Sequence, residues 1–591
     1  MSAPNLPRWD WSDVFPGLES SEFHKAWQDL ERKIATIEEL FECYQVGRAL
    51  ETSTFPELFH RVVAEINELL EMFTPVRAFL QGLVDTESTN QAAQAKLSEL
   101  QQLFLRFERL RPRFIAWLAK LDPEKVGAGP YRLLLEEARI QAEHMMSEGE
   151  EILAAELHLC GGSAWAKLYG NVSSLITANV RGKTMPIAAV RNLAYSLDHA
   201  LRKEAYEAEI AAWKAHEVPL AAALNGVKGE ACVLNRKRGW KDNLEPVLFR
   251  NRITREILTA MLEVVEDSLP VWRRYFSAKA YVMEKSKMDW WDLFAPLGET
   301  QRRWDWSEAE RFIVQNLKAF SPAAAEVARQ AFAARWIDAE PRVGKRGGAY
   351  CTHVGQGKSR ILANYEPSFD SVSTLAHELG HAYHNWCLRD VPPLLRQYPM
   401  TLAETASIMN ETVVVEAALE ILPEKEKLII LETYLQGAAQ VVVDIYSRFL
   451  FESWVFERRS KRELTPEEFC ALMLEAQRRT YGDALESFHP YMWAAKPHYY
   501  GRDFYNFPYT FGLLFGLGLY ERYRTEGQNF LPYYEKLLAS VGMYPVSELA
   551  NQFGFDLASR EFWQHAMEVL FEKIDRFQSM TRSPPCCSLD A

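Results

Sequence analysis

The residues of this chain with the clearest chemical potential are the two histidines of the stretch 377–381, which reads HELGH. In a helix, residues four positions apart lie on one face, so His377 and His381 can bind a single metal ion. Glu378 lies about 100° around the helix from His377, where it can reach a water molecule at the metal without being a ligand. The pattern predicts a zinc site in which a carboxylate activates water, the layout of a zinc peptidase.

A catalytic zinc site needs a third protein ligand and one open position. Four downstream side chains have suitable chemistry: His384, Cys387, Glu404 and Glu411. His384 and Cys387 share the helix of the first two ligands, and three side chains along one helix cannot readily surround a tetrahedral ion. They also stand where metzincins have a helix-breaking Gly and a third His, so that pattern fails. We predict that His384 supports the site or packs beside it, and that Cys387 fills apolar space.

Glu404 fits the third position best. It lies in a second helical segment, 401–411, after 22 residues whose prolines can end the first helix and turn the chain back. Glu411 lies seven residues further on the same face, where it can hydrogen-bond a liganding histidine. A solvated surface charge is the alternative interpretation of Glu411. The predicted ligands of one Zn²⁺ ion are His377, His381 and Glu404.

These residues also carry a resemblance to a known family. HELGH followed by LAETAS and the pair Asn410-Glu411 is similar to the thimet oligopeptidase and oligoendopeptidase F family of zinc metallopeptidases. Three further stretches resemble that family: 236–241 (RKRGWK), 289–297 (DWWDLFAPL) and 347–351 (GGAYC). The resemblance covers roughly residues 150–580. It implies that the two histidines and Glu404 bind zinc and that Glu378 is the general base.

A second candidate region is the aromatic stretch 498–512, which reads HYYGRDFYNFPYTFG. Amide hydrolysis creates an oxyanion that needs neutral or cationic donors. Tyrosine suits this role because its pKa near 10 keeps it protonated at neutral pH. The resemblance implies a histidine and nearby tyrosines here, and we assign His498, Tyr505 and Tyr509. Tyr499 and Tyr500 are predicted to pack in the core.

Helical periodicity dominates the elements that must position these groups. Apolar residues recur every three or four positions through the first 120 residues and predict antiparallel helices, broken near Pro75 and again at 122–130. The fold class is therefore mainly α. The resemblance adds the expectation of a large helical body with a deep substrate channel.

Sheet structure is expected only at 345–365, just before the HELGH helix. Gly347 and Gly348 open the predicted edge strand of this small sheet. A substrate peptide can add to such an edge through backbone hydrogen bonds. Tyr350 is a further candidate for contact with the substrate, and a simple turn is the alternative role of the glycine pair.

The length of 591 residues exceeds what one hydrophobic core usually supports. We predict an N-terminal helical region at 1–125, a helical subdomain at 126–200 that forms part of the channel wall, a catalytic domain at 201–580 and a disordered tail at 581–591. The formal net charge of −13 argues against nucleic acid and anionic membranes as partners. Eight cysteines without a CxxC pair fit a reducing cytosol, and no signal peptide is seen. We predict a cytoplasmic protein.

The predicted function is zinc-dependent hydrolysis of internal bonds in short unfolded peptides. One alternative is a zinc dipeptidyl carboxypeptidase or carboxypeptidase of similar helical fold, in which Arg502 or Lys496 holds the terminal carboxylate of the substrate. An alternative from another class is a non-catalytic helical scaffold that binds peptides. The intact Glu378 and the complete ligand set argue against the scaffold.

Overall fold

The computed structural model describes residues 6–48, 56–298 and 302–582. Within these described residues the protein is 71% helical with two small sheets, so the predicted mainly α fold is confirmed. The tail predicted to be disordered lies outside the described residues from residue 583 onward. The predicted domain boundaries near 125, 200 and 580 stay predictions.

The helices follow one another through most of the chain. The first half contains α1 (Ser21–Cys43), α2 (Pro56–Thr86), α3 (Gln91–Glu108), α4 (Arg111–Leu118), α5 (Arg132–Glu143), α6 (Glu148–Cys160), α7 (Gly162–Leu175), α8 (Ile187–Asn192), α9 (His199–Ala215), α10 (Glu217–Lys237), α11 (Glu245–Arg250) and α12 (Arg255–Val282). The second half contains α13 (Trp306–Phe320), α14 (Pro322–Ala333), α15 (Phe369–Cys387), α16 (Met400–Ala403), α17 (Thr405–Ile421), α18 (Glu424–Ala439), α19 (Ile445–Arg459), α20 (Pro466–Tyr481), α21 (Met492–Ala495), α22 (His498–Gly501), α23 (Phe507–Glu526), α24 (Leu531–Ser540), α25 (Val546–Gln552) and α26 (Arg560–Arg582).

Five short strands form the two sheets: β1 (Thr177–Val180), β2 (Lys183–Pro186), β3 (Ile337–Asp338), β4 (Tyr350–Gly355) and β5 (Lys358–Leu362). The second sheet has the order β3–β5–β4, so β4 lies at an edge. Strands β4 and β5 form an antiparallel hairpin, which confirms the sheet predicted at 345–365.

The expectation of sheet at this place alone is wrong, because β1 and β2 form a second hairpin. Its turn residues Arg181 and Gly182 both have positive φ, 51° and 79°, as in the tight turns that favour hairpins. Strands of four residues are too short to show a clear alternation of apolar and polar residues.

The described chain forms two compact units, each built from separate stretches of sequence. Unit 1 comprises Met1–His144, Arg302–Ala417 and Arg522–Phe555. Unit 2 comprises Met145–Gln301, Ala418–Glu521 and Asp556–Ala591.

Helix α2 in unit 1 corrects one expectation from the sequence. It runs unbroken through Pro75, where a break is predicted. A proline inside a helix costs about 3 kcal/mol. Four apolar side chains near it are buried in one core: Leu69, Val76, Phe79 and Leu80. Since burial of each contributes about 1.5–3 kcal/mol, packing outweighs the local preference. The second predicted break is confirmed by the non-helical residues 119–128.

One helical stretch in the described part of the chain, Glu424–Arg459, is long and apolar enough by composition to cross a membrane. Of its most apolar window, 56% is buried within the protein. This test is weak evidence for a membrane span, since buried core helices pass it as well.

Candidate active site

Helix α15 carries the HELGH stretch in unit 1. It begins after Ser368, whose side chain caps the helix by accepting a hydrogen bond from the backbone N–H of Ser371. Its apolar face is buried, including Val372, Leu375 and Leu379. This burial fixes the rotation of the helix, and the rings of His377 and His381 stand one turn apart with centroids separated by 5.1 Å.

Glu404 lies at the junction between α16 and α17, so the helical segment predicted at 401–411 is interrupted at this residue. Its Oε2 atom is 3.1 Å from Nε2 of His377 and 3.3 Å from Nε2 of His381. One ligand atom from each of these three residues lies within 4.8 Å of the others. The structure therefore brings together the three side chains that the sequence predicts as metal ligands.

The surroundings of these three side chains fit a zinc ion. Nδ1 of His377 is 2.9 Å from Oε2 of Glu411, which holds a proton on Nδ1, so Nε2 can offer a lone pair to a metal when it gives up its own proton. Burial alone would raise the pKa of Glu404, but hydrogen bonds from His377 and His381 outweigh it and hold that pKa far below its ordinary value. Two imidazole nitrogens and an ionised carboxylate are a donor set typical of catalytic zinc.

Two serines that the sequence analysis missed hold the carboxylates. The Ser407 hydroxyl donates to Oε2 of Glu404 at 2.7 Å. The Ser373 hydroxyl donates to Oε1 of Glu411 at 3.3 Å. Ser407 lies within one helical turn of Glu404, and this spacing could have suggested the contact from the sequence. Ser373 lies on α15, far from Glu411 in the chain, so no local signal indicates its contact.

Gly380, inside the HELGH stretch, allows the two helices to approach closely. A Cβ atom at this position would lie 2.4 Å from the carbonyl oxygen of Ala406 and 2.5 Å from Cα of Ser407. Both are backbone atoms next to the Glu404 turn and cannot move aside cheaply. A glycine in the interior of a strongly apolar helix is a signal that the sequence offers for such a contact.

Glu378 is 6% exposed, and its Oε2 atom has no hydrogen-bond partner among the described residues. Burial raises the pKa of this carboxyl group, while the rings of His377 and His381 oppose the shift. A buried carboxylate oxygen without a partner is costly. A water molecule beside the three ligands would satisfy it, which is what a general base requires.

His384 and Cys387 do not join the ligand group. The His384 ring stacks on Tyr398 with centroids 4.6 Å apart, and its Nε2 donates to the carbonyl oxygen of Leu538 at 3.2 Å. Burial lowers the pKa of His384 to about 3, so the ring is neutral. Cys387 is buried.

The predicted substrate-binding residues lie at the edge strand. Gly347 and Gly348 precede β4, and nothing lies within 4 Å of a Cβ atom built at either position. The Tyr350 hydroxyl donates to Oδ2 of Asp85 at 2.7 Å. This bond fixes the ring of Tyr350, while the outer edge of β4 keeps no strand partner among the described residues.

The aromatic group lies in unit 2. The ring of His498 is 4.9 Å from that of Tyr505, and the Tyr509 hydroxyl donates to the Tyr505 hydroxyl at 3.0 Å. The structure therefore brings these three predicted residues together. Tyr499 and Tyr500 are 1% and 2% exposed.

Three residues that the sequence analysis missed orient His498: Asp444, Arg448 and Asn506. Arg448 forms an ion pair with Asp444 and donates to Oδ1 of Asn506 at 3.2 Å. The same oxygen is 3.1 Å from Nδ1 of His498. Because arginine only donates, the oxygen of Asn506 must face it, and Nδ1 of His498 must then carry a proton. The neutral ring presents a lone pair at Nε2, so His498 donates from Nε2 only as an imidazolium.

A second cluster of potential metal ligands in unit 2 already holds a cation. His199, Asp289 and Asp292 lie close enough together to bind an ion. Nζ of Lys285 is 3.1 Å from Nε2 of His199 and 2.7 Å from Oδ2 of Asp289, and it also contacts Asp292. The ammonium group occupies the place that a metal would take.

Comparison with known families supports the resemblance seen in the sequence. Residues 192–569 match the profile of "Peptidase family M3", and residues 121–177 match that of "Oligopeptidase F". Oligopeptidase PepF of Bacillus subtilis (strain 168) is 25% identical over 518 residues, which cover 85% of this chain and 76% of the relative. The predicted membership of this group of metallopeptidases is confirmed.

Solved structures show the same fold. A structure from Chlamydophila abortus superposes with a TM-score of 0.83 at 23% sequence identity. The matched region covers 97% of this chain and 98% of the Chlamydophila chain. The oligoendopeptidase-F of Enterococcus faecium has a TM-score of 0.68 at 18% identity, with coverage of 94% and 99%. At these identities the likeness establishes the mainly α fold.

Proposed function

Since a family profile matches more than half of its length, the chain belongs to peptidase family M3, and we propose that it is a zinc-dependent endopeptidase of short unfolded peptides. The observation that carries this proposal is the group formed by His377, His381 and Glu404, whose ligand atoms lie within 4.8 Å of one another. The buried Glu378 beside this group supplies a general base.

One zinc ion held by His377, His381 and Glu404 would lower the pKa of water and polarise the scissile carbonyl. Glu378 takes the proton from the attacking water and later delivers it to the leaving amine. Its burial keeps this carboxylate poorly solvated, which makes it a stronger base. Glu411 and Ser407 hold the ligands in place through the hydrogen bonds described above.

The Tyr505 hydroxyl is proposed to donate to the oxyanion of the tetrahedral intermediate, and the Tyr509 hydroxyl, which donates its proton to Tyr505, supports it. Both are neutral donors, and their mutual hydrogen bond restricts their rotation. His498 joins them as a donor when it is protonated at both nitrogens. In its neutral form it accepts at Nε2, where a backbone N–H of a peptide is a suitable partner.

The proposal extends to the setting of the enzyme. Short peptides are its partners, β4 offers the edge to which an extended peptide adds, and the resemblance implies a deep channel that excludes folded proteins. We place the protein in the cytoplasm, without nucleic acid or membrane as partners. The net charge of −13 supports the exclusion of polyanions.

An internally quenched peptide that is acetylated and amidated at its ends tests this function. We expect internal cleavage, mapped by mass spectrometry, that a chelator abolishes and added Zn²⁺ restores. Cleavage confined to peptides with a free C-terminus would favour the carboxypeptidase alternative. Atomic emission verifies that the chelator has removed all metal. Activity that survives this removal would refute the metal-dependent mechanism.

A further inference from the structure

A cavity of about 310 Å³ lies within unit 2, and its lining includes none of the groups proposed above to bind zinc or to act on the oxyanion. It shares Asp444 with the relay that orients His498. Residues of the stretch 290–294 form one wall, and α9 and the helical run from Gln436 to Asp444 contribute others. The lining is rich in aromatic rings, among them Trp290, Trp291, Phe294 and Tyr206. Four residues of the DWWDLF stretch in the sequence therefore serve as lining of this cavity.

Among the charged side chains that line this cavity, one positive charge has no ion-pair partner in the described structure. Every charged lining side chain except Lys496 has an ion-pair partner: Arg191 with Glu209 at 3.1 Å, Arg202 with Asp292 at 2.8 Å, and Asp444 with Arg448. Lys496 has no hydrogen bond or ion pair to any residue in the described ranges 6–48, 56–298 and 302–582. The ammonium group of Lys496 is thus available to pair with a bound anion.

Two further features mark this cavity as a binding site. His489 is 1% exposed and lines the cavity, yet its Nδ1 atom makes no hydrogen bond within the described structure. Its Nε2 lies 3.4 Å from Oε1 of Glu209. The wall also contains a π-helical turn, Gln440–Asp444, a rare irregularity that is frequent at functional sites. Thr510 donates to the carbonyl oxygen of Val441 in this turn at 2.7 Å.

We propose that this cavity binds a small carboxylic acid that bears an aromatic or bulky apolar group. The carboxylate pairs with the ammonium of Lys496, the apolar group packs against Trp290 and Trp291, and His489 offers a further hydrogen bond. The volume lies at the lower end of the range of about 300–1,000 Å³ for ligand pockets. A ligand of about one amino-acid residue therefore fits, while a long peptide does not.

The electrostatics of Lys496 agree with this assignment. Burial, followed by the nearby Arg448, lowers the pKa of Lys496 to about 7. A carboxylate bound beside the amine would stabilise its charged form and raise that pKa. Binding above pH 7 should therefore take up a proton from solution.

The experiment is calorimetric titration of the metal-loaded enzyme with N-acetyl-L-phenylalanine and with its amide, N-acetyl-L-phenylalaninamide. We expect the acid to bind and the amide to bind roughly 30-fold more weakly or worse, because the buried charge pair is lost. At pH 8, two buffers that differ in ionisation enthalpy should reveal proton uptake for the acid. Equal affinities for acid and amide, or no binding of the acid, would overturn the proposal.

Variants locate the binding. Lys496→Met should lose roughly 30-fold or more in affinity for the acid. Lys214→Met removes the same charge from an exposed position on α9 and should leave affinity unchanged. Unaltered binding by Lys496→Met would place the ligand elsewhere, for example on the zinc, and refute the assignment.

A second variant keeps the test decisive if Lys496→Met is poorly folded. Ala439→Leu narrows the cavity, which Ala439 lines, without removing a charge. It should weaken binding of N-acetyl-L-phenylalanine by tenfold or more. Full affinity in this variant would also overturn the proposal.

The inference does not depend on the peptidase activity, because it concerns equilibrium binding. The same carboxylate chemistry occurs in free acids and in the last residue of a peptide. A tetrapeptide of D-residues that ends in L-phenylalanine separates the two. Binding as tight as that of N-acetyl-L-phenylalanine supports a site for peptide termini, and much weaker binding supports a site for free acids.

Discussion

The metal-ligand group of unit 1 and the tyrosine–histidine group of unit 2 are held in place by different means. His377 contacts two carboxylates directly, with Nε2 lying 3.1 Å from Glu404 and Nδ1 lying 2.9 Å from Glu411. His498 instead depends on a relay in which Asp444 and Arg448 act through Asn506. The first group consists of charges around a cation site, and the second consists of uncharged side chains.

This difference follows from what each group must do. Ligands of a cation must be ionised or carry a lone pair, so carboxylates can fix the histidine directly. Donors to an oxyanion must keep their protons, so a carboxylate beside them would compete for those protons. A neutral amide between Arg448 and His498 orients the ring without offering it a full negative charge.

The largest effect should come from Glu378, the carboxylate beside the metal-ligand group of unit 1. Glu378→Gln removes the base but keeps the shape of the side chain, so we expect activity to fall by about 10³-fold or more. Metal content, from atomic emission, and thermal unfolding should match the parent protein. Activity close to that of the parent would show that the proton acceptor lies elsewhere.

Substitutions of the two carboxylates that contact His377 should differ in their effect on zinc binding. Glu404→Ala should abolish stable zinc binding, because it removes a ligand. Glu411→Ala should weaken zinc binding by about 10–100-fold, because it only orients His377. Competition with a chromogenic chelator measures both affinities. If Glu411→Ala loses its metal while Glu404→Ala retains it, the assignment of ligand and support is reversed.

The donors of unit 2 should show coupled effects. Tyr505→Phe and Tyr509→Phe should each lower kcat by about 10²-fold. Their hydroxyls share a hydrogen bond, so the double variant should lose little more than the worse single one. Tyr500→Phe is the matched control, because its buried hydroxyl has no partner among the described residues. Equal rates for all three variants would remove these tyrosines from the mechanism.

A small change at Gly380 tests how tightly unit 1 packs around its ligands. Gly380→Ala forces a Cβ atom against backbone near Ser407 and should cost about 1–3 kcal/mol in the free energy of unfolding. Gly437→Ala, on the open side of α18 with nothing within 4 Å, should instead stabilise by up to about 1 kcal/mol. Urea unfolding of both variants measures the difference. Equal free energies of unfolding for the two variants would mean that α15 does not pack closely against the backbone at Ala406 and Ser407.

The smallest effect should come from the relay in unit 2. Asn506→Leu removes the acceptor that fixes Nδ1–H of His498, so we expect a mixture of ring tautomers and a loss of activity of several-fold. ¹⁵N chemical shifts of the imidazole report the tautomers. A single unchanged tautomer in this variant would show that another contact orients the ring.

Much of this protein was predictable from local patterns. The helical period identified the mainly α fold, and the spacing of His377 and His381 placed both on one helix face. Glu404 followed from the need for a third ligand beyond the end of that helix. The hairpin β4–β5 followed from its glycines and short apolar runs.

Other features escaped the sequence because they depend on contacts between distant segments. Pro75 predicts a helix break, but its surroundings bury enough apolar surface to keep α2 intact. Nothing near His498 in the chain indicates that Arg448, some 50 residues away, shares Asn506 with it. The unpaired charge of Lys496 becomes visible only when the partners of all its neighbours are known.

The sequence by itself therefore determined the types of chemical groups and the helices that carry them, because helical period and ligand spacing are local properties. Tertiary structure alone decided the protonated nitrogen of His498, the close contact at Gly380 and the surplus charge at Lys496. These depend on which donor, acceptor or backbone atom a distant segment places within a few ångströms.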